Sequence, residues 1–239
     1  MAQFYRLVDD YPEGISTVDL DFISRDNALD RFVEEDPLGN YIDFVGPGER
    51  QHSQFVFDPE GNVESTVQEC LLLGRLTGGS PRFHFMFFND TSDDRTFYRV
   101  GLRDGGTEIA SYLDGSFQSH ATGSTSFSQT EGKVVGMRGQ AILDSGVVTL
   151  KLRVWEVTDF EDWDTEEPSG WNIETTTSRF IASGKLGLWH WSDPVLDTFV
   201  FNVGTDGDSA PTSMAGAPTN LQAVDITDTS ARLVWDAPT

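Results

Sequence analysis

The chain has 239 residues, of which 16 are Lys or Arg and 39 are Asp or Glu, a formal net charge of −23. A field of that sign repels nucleic-acid phosphates and anionic lipid, which sets aside nucleic-acid binding. With 12% aromatic residues and 23 glycines the chain reads as sheet rather than as an acidic disordered polymer. The one cysteine, Cys70, sits in the apolar run Glu69-Cys70-Leu71-Leu72-Leu73, so no internal disulfide forms and a small buried residue is expected. The opening MAQFYRLVDD lacks the basic and apolar regions of a secretory signal. No apolar run nears the roughly 18 residues of a membrane helix. The expectation is a chain made and folded in a cytoplasm, without membrane insertion.

In chain order, residues 1–39 read as an irregular arm with the first strands. Thr17 to Phe22 alternates weakly, and Asp26 to Phe32 suits one helical turn or, over Arg31 to Glu34, a short strand. From Asn40 the β signal strengthens. Strands are expected at Tyr41 to Val45, closed by Gly46-Pro47-Gly48, and at Gln54 to Phe57, closed by Asp58 to Asn62. Further strands follow over Val63 to Thr77, Arg82 to Phe88, Thr96 to Arg103 and Thr107 to Leu113. Residues 114–132, rich in Ser, Thr and Gly, read as loops with a short edge strand.

The organising stretch is Lys133 to Val203. Val148, Leu150, Leu152 and Val154 point one way, and Thr149, Lys151, Arg153 and Trp155 the other, a strand with one face in a core. Asp144-Ser145-Gly146 supports a hairpin into it. An acidic loop, DFEDWDTEEPSGW, precedes two more β runs. Roughly twelve to fourteen strands at sandwich spacing are too many for an immunoglobulin-type fold and suit a two-sheet jelly roll. Residues 205–217 are polar and small, a linker, and residues 218–239 form a separate segment.

The succession of a Trp-ending strand, Glu167-Pro168-Ser169-Gly170-Trp171, Gly-Lys-Leu-Gly-Leu and Phe-Val-Phe-Asn-Val resembles concanavalin A-like jelly rolls of the laminin-G or laminarinase type, over residues 40–204. The fold class this implies is all-β, a concanavalin A-like antiparallel β-sandwich (jelly roll). Laminarinase-type enzymes carry Glu-x-Asp-x-x-Glu on one strand, which places the carboxylates on one face. No strand here has that run; Asp162-Trp163-Asp164-Thr165-Glu166-Glu167 has the carboxylates but lies in a loop. In 218–239, Pro218, Leu221, Ala223, Val224, Ile226, Leu233 and Trp235 resemble the first two strands of a fibronectin type III domain, whose Trp packs into a core. Two strands cannot bury that Trp alone, so the segment implies either a longer chain or pairing with another subunit.

A jelly roll followed by a fibronectin-like segment, strongly acidic, resembles virion proteins of tailed bacteriophages. That resemblance implies a non-enzymatic structural protein of a tail, fibre or spike, located in the virion, contacting other virion proteins as a homo-oligomer (a trimer) and recognising host-surface polysaccharide. Two alternatives stand beside it: a capsid or tail decoration protein without a ligand, and a glycoside hydrolase or lyase with an unrecognised acid pair.

Seven residues are candidates for ligand binding. Arg99 and Arg103 share one face if Val100 and Leu102 face inward; Arg153 does so beside Trp155, and Arg138 on the preceding strand. Indole stacks on a sugar ring and the guanidinium fork donates to hydroxyls or carboxylates. The competing reading of the arginines is cross-strand pairing with carboxylates. Trp189 and Trp191 face one way and His190 the other, for core packing, a subunit contact or a ligand stack. Trp171 and Trp163 flank the acidic loop, as a binding lip or as anchors. Asp159, Glu161, Asp162, Asp164, Glu166 and Glu167 supply the oxygens that calcium takes, without an Asp-x-Asp-x-Asp-Gly spacing, so a calcium site and a solvated loop both remain open. His52, His84, His120 and His190 lack metal-ligand spacing, and no cofactor is expected.

Overall fold

The structure, a computed structural model, describes residues 3–4, 22–26, 34–35, 37–39, 41–43, 52–58, 65–79, 81–90, 95–178, 181, 184–191, 196–212, 219–224 and 232–236. Among them every regular element is a strand. The first sheet runs β1 (Gln3–Phe4), β14 (Asp197–Thr205), β5 (Val67–Arg75), β10 (Val134–Asp144), β11 (Val147–Val157), β12 (Ile173–Thr177), with β3 (Ile42–Asp43) also paired to β14. The second runs β2 (Phe22–Asp26), β4 (His52–Phe57), β13 (Lys185–Trp191), β6 (Arg82–Asn89), β7 (Phe97–Arg103), β8 (Gly106–Leu113), β9 (Ser116–Ser124). Each pairing in both sheets is antiparallel, which gives the all-β sandwich expected from the sequence. β15 (Thr219–Val224) and β16 (Arg232–Asp236) pair antiparallel with each other.

The alternation read from β11 is the one observed. Val148, Leu150, Leu152 and Val154 enter the core between the sheets with Val135, Met137 and Ala141 of β10 and Cys70 and Leu72 of β5. The second sheet contributes Phe55, Phe57, Phe83, Phe85, Phe87, Val100, Leu102, Ile109, Leu186 and Leu188. Burial, and Glu69 beside it, push the Cys70 thiol well above its ordinary range, which makes it an inert packing group. His190 also faces inward and stacks on Phe55 at 6.1 Å. One polar side chain ties the sheets together: Gln68 accepts from Phe88 N (3.0 Å) and donates to Gly184 O (2.7 Å).

The β10–β11 hairpin closes with Asp144 paired to Val147, leaving Ser145 and Gly146 as a two-residue loop at φ 51° and 80°. Two positive φ values are what a type I′ turn requires, and they match the twist of the flanking strands.

Two placements refine the sequence expectation and one differs from it. β1 and β2 are the first strands expected within 1–39, and each adds a strand to one of the two sheets. β9 is the edge strand expected within 114–132, and at nine residues it is longer than the short strand read there; it is mostly solvent-exposed, so it carries no apolar alternation. Residues 206–212, at the start of the expected linker, return over the first sheet's outer face. Glu69 accepts from Ala210 N at 3.0 Å and Arg138 donates to Ala210 O at 2.9 Å, and these contacts fix the segment. The expected turns at 46–48 and 59–62, the alternating run at 17–21 and the helical turn at 27–32 lie outside the described residues, and so does the Trp235 side chain, whose backbone is in β16.

Candidate functional site

The seven candidates separate into two groups on opposite outer faces of the sandwich. Arg138, Arg153, Trp155 and Trp171 lie over the first sheet; Arg99, Arg103 and Trp189 lie on the second.

On the first sheet, strand pairing sets Arg138 directly opposite Arg153. Like charges at that position repel. The acidic loop supplies the counter-charge. Glu167 accepts from Arg138 Nε (2.6 Å) and Nη2 (2.9 Å) and from Arg153 Nη1 (2.5 Å). Glu69 on β5 accepts from Arg138 as well, and from Gln140 Nε2 at 2.9 Å. Burial alone would depress the Arg138 guanidinium, but Glu167 and Glu69 outweigh it and hold it above its usual range. Arg153 continues over the Trp171 indole, its guanidinium carbon 4.4 Å from the ring centre, with Lys151 Nζ at 5.6 Å. The result is a cleft of about 640 Å³ lined by Glu69, Arg138, Gln140, Arg153, Asp164, Glu167, Trp171 and the 209–212 segment.

Trp155 is not part of that cleft's lining. It is 5% exposed and lies across Gly136, where a Cβ would stand 2.1 Å from the ring. With Leu71, Leu73, Phe199 and Val200 it forms a small outer core, roofed by Phe160 and Trp163 of the acidic loop. Trp163 is therefore an anchor of the loop, and Phe160 meets Phe199 edge-on at 5.1 Å. Glu166 accepts from Thr158 N (2.8 Å), Thr158 Oγ1 (2.7 Å) and Asp159 N (2.9 Å), and these bonds pull its carboxyl below the ordinary range. Among the described residues no three His, Cys, Asp or Glu side chains are grouped as a metal would need. Of the acids in the 159–167 loop, Asp159, Glu166 and Glu167 accept hydrogen bonds from within the chain.

On the second sheet a row of register partners crosses four strands: Trp189, His84, Gly101, Glu108. Gly101 is where the sequence places no side chain, and a Cβ there would stand 2.1 Å from Phe83 O. Over this gap Glu108, fully buried, accepts from Arg99 Nη2 (2.5 Å) and from Arg103. The two arginines thus share the outward face as expected, and both pair with a carboxylate across the strand. Arg82 and Arg103 are opposite in register, and Asp104 separates them with two bonds to Arg82 at 2.8 Å each. Those bonds to Arg82 hold the Asp104 carboxyl below its ordinary range. Trp189 is 2% exposed, with Arg99 at 4.4 Å over its ring, His84 edge-on at 5.2 Å and Trp191 at 6.3 Å.

Sequence reasoning named the arginines and missed their partners. Glu69 and Glu108 are two among 39 acidic residues, and cross-strand register that identifies them is not a local signal. Glu108 does carry a faint mark, a lone charge inside the strand Gly106–Leu113. His84 was legible by alternation, since it shares a face with Arg82 while Phe83 and Phe85 point inward.

His84 has a consequence for stability. Burial first, then Arg99, Arg103 and Arg82, drive its pKa well below the usual imidazole range, although Glu108 lies 3.9 Å away. The unfolded chain therefore binds this proton near pH 6.5 while the folded chain does not. Stability is full above about pH 6.5 and falls below it by up to about 1.4 kcal/mol per pH unit, until the folded group protonates. Urea unfolding at pH 7 and pH 5 should show wild type losing more stability than His84→Gln; equal losses would contradict this assignment.

No protein-family model matches the chain, and no curated protein is similar to it in sequence. In structure the chain is similar to lectin II from Ulex europaeus, at 9% identity over 84% of this chain and 97% of that one, with a TM-score of 0.49. It is similar to the carbohydrate binding module CBM66 from Bacillus subtilis, at 12% identity over 75% of this chain and 91% of that one, TM-score 0.48. A mutant of the GH43 protein BlXynB from Bacillus licheniformis is similar at 8% identity over 69% of this chain and 33% of that one, TM-score 0.41.

Proposed function

We propose that the chain is a non-enzymatic glycan-recognition module of a bacteriophage tail, fibre or spike, with the glycan held in the cleft over the first sheet. The observation that carries this is the setting of Trp171. Its indole is half-buried in a cleft of about 640 Å³, next to Gln140, Asp164 and Ser169 and fixed by Arg153. A ring face beside several hydrogen-bonding groups suits a pyranose, and the volume falls within the ordinary range for small-molecule sites. Preformed ion pairs keep the arginines in place, so little side-chain entropy is lost on binding. Two of the cleft's carboxylates have their oxygens taken, Glu167 by Arg138 and Arg153 and Glu69 by Arg138, Gln140 and Ala210 N, which leaves neither placed to protonate a glycosidic oxygen. This supports recognition over hydrolysis.

The particle assignment is supported by the sequence: the sandwich precedes a fibronectin-like segment and the net charge is −23. In the particle the chain would form a homotrimer against other virion proteins. Near-atomic imaging of purified particles tests this, and finding the chain only as a free monomer would contradict it.

The binding claim is tested on a glycan array. Wild type should retain a discrete set of glycans, and Trp171→Ala should weaken them at least about tenfold, equivalent to about 1.4 kcal/mol. Retention unchanged by that substitution would contradict the cleft as the site. A ligand-free decoration role is the second reading, favoured by the mutual neutralisation of Arg138, Arg153, Glu69 and Glu167; it expects an empty array.

A further inference from the structure

We infer that the outer face of the second sheet holds a second binding site, separate from the Trp171 cleft, and that it takes a sugar ring bearing a carboxylate. The pocket encloses about 200 Å³ between Arg82, His84, Arg99, Arg103, Tyr112, Phe117, Trp189 and Trp191. That is below the ordinary range for a drug-sized ligand, so one ring fits rather than an extended chain. It lies across the core from the cleft, on the opposite sheet.

Charge gives the class of ligand. Three arginines converge on two carboxylates, Glu108 and Asp104. His84 is held neutral by burial and by those arginines. One positive charge is left in excess, in a chain whose net charge is −23. A carboxylate is the planar partner a guanidinium fork accepts.

Unspent donors give the polar contacts. His84 is fully buried at the pocket floor, and neither ring nitrogen makes a hydrogen bond. A neutral imidazole offers one donor and one acceptor, which together suit a hydroxyl. Arg99 Nε is likewise buried without a hydrogen-bond partner. The rim gives the apolar contact. Phe117 is 45% exposed at the pocket's edge, with Tyr112 at 5.4 Å and the Arg99 guanidinium carbon at 5.0 Å from its ring. Its open face can take the C–H face of a pyranose, while the fork behind it takes the acid. Neither a neutral sugar nor a bare anion uses both halves of this pocket.

The test is calorimetric titration of the intact chain with glucuronate, glucose and acetate. Glucuronate should bind in the millimolar range, more weakly at higher salt, with glucose and acetate at least about tenfold weaker. An alginate oligomer separates the two sources of such a ring: if it competes, the natural ligand is a residue within an acidic polysaccharide, and if it does not, a free or terminal sugar acid. Phe117→Ala and Arg82→Gln, both at exposed positions, should each weaken glucuronate several-fold while leaving thermal unfolding within a few degrees of wild type. Trp171→Ala should leave glucuronate binding unchanged, so that this site and the first cleft succeed or fail separately. Glucuronate binding no tighter than glucose, or unaffected by both rim substitutions, or abolished by Trp171→Ala, would overturn the inference.

Discussion

Glu108→Ala is expected to cost about 3–5 kcal/mol of folding stability. The carboxylate is fully buried and receives both Arg99 and Arg103. Removing it leaves Arg99, itself 6% exposed, as an uncompensated charge packed against Trp189 and Phe117. The ring faces offset part of that cost and no more. Burial already pulls the Arg99 guanidinium below its usual range, and Glu108 is what opposes that pull. Glu108→Gln keeps the shape and an acceptor, and should cost less than the alanine. Denaturant unfolding measures both. A loss under about 1 kcal/mol for the alanine would mean that water reaches Arg99 and that the pair is a surface contact.

Glu167→Ala is expected to cost about 3 kcal/mol and to remove glycan binding together with stability. Arg138 and Arg153 face each other in register, and Glu167 is the group that lies between them. Without it Arg138 keeps Glu69, while Arg153 keeps only the Ser169 carbonyl at 3.2 Å and the Trp171 ring among the contacts described. Repulsion then separates the arginines and releases the loop that presents Trp171. Hydrogen exchange should show faster exchange over residues 158–172, and array binding should fall as it does for Trp171→Ala. Full stability with intact binding would place the cleft's organisation elsewhere, in the Phe160 and Trp163 anchors.

Those two carboxylates also mark where the sequence stops being legible. Alternation over residues 148–155 assigned each of those side chains to its correct face, because one face is apolar and the other is mostly not. The same rule oriented Val100 and Leu102 inward, and with them Arg99 and Arg103 outward. It set His190 apart from Trp189 and Trp191 as well. Local chemistry also located the turn at Ser145-Gly146, since Gly146 takes a positive φ at no steric cost and polar turn residues flank it.

Alternation says nothing about which sheet a face belongs to. Seven candidates that read as one set fall on two surfaces, because sheet order brings β13 beside β6 and β14 beside β5 across long stretches of sequence. Ser116–Ser124 was legible only as a short edge strand without bounds, because an edge strand exposed along most of its length has no apolar period to fix its ends. Trp155 looked like a ligand platform since it shares a face with Arg153. The acidic loop closes over it through Phe160 and Trp163, and a loop's landing place is a tertiary fact. The return of residues 206–212 was hidden for a similar reason: small polar residues suit a linker, and it takes Glu69, Arg138 and Asn202, brought together by sheet order, to hold them to the sheet.

The central claim is that the Trp171 cleft holds a glycan, and a crystal structure of the chain with the oligosaccharide best retained on the array tests it most directly. The account expects a sugar ring against the Trp171 indole, with hydrogen bonds to Gln140 or Asp164 and the Arg138–Glu167–Arg153 bridge unbroken. A saccharide bound elsewhere with this cleft empty, or none bound at saturating concentration, would contradict it.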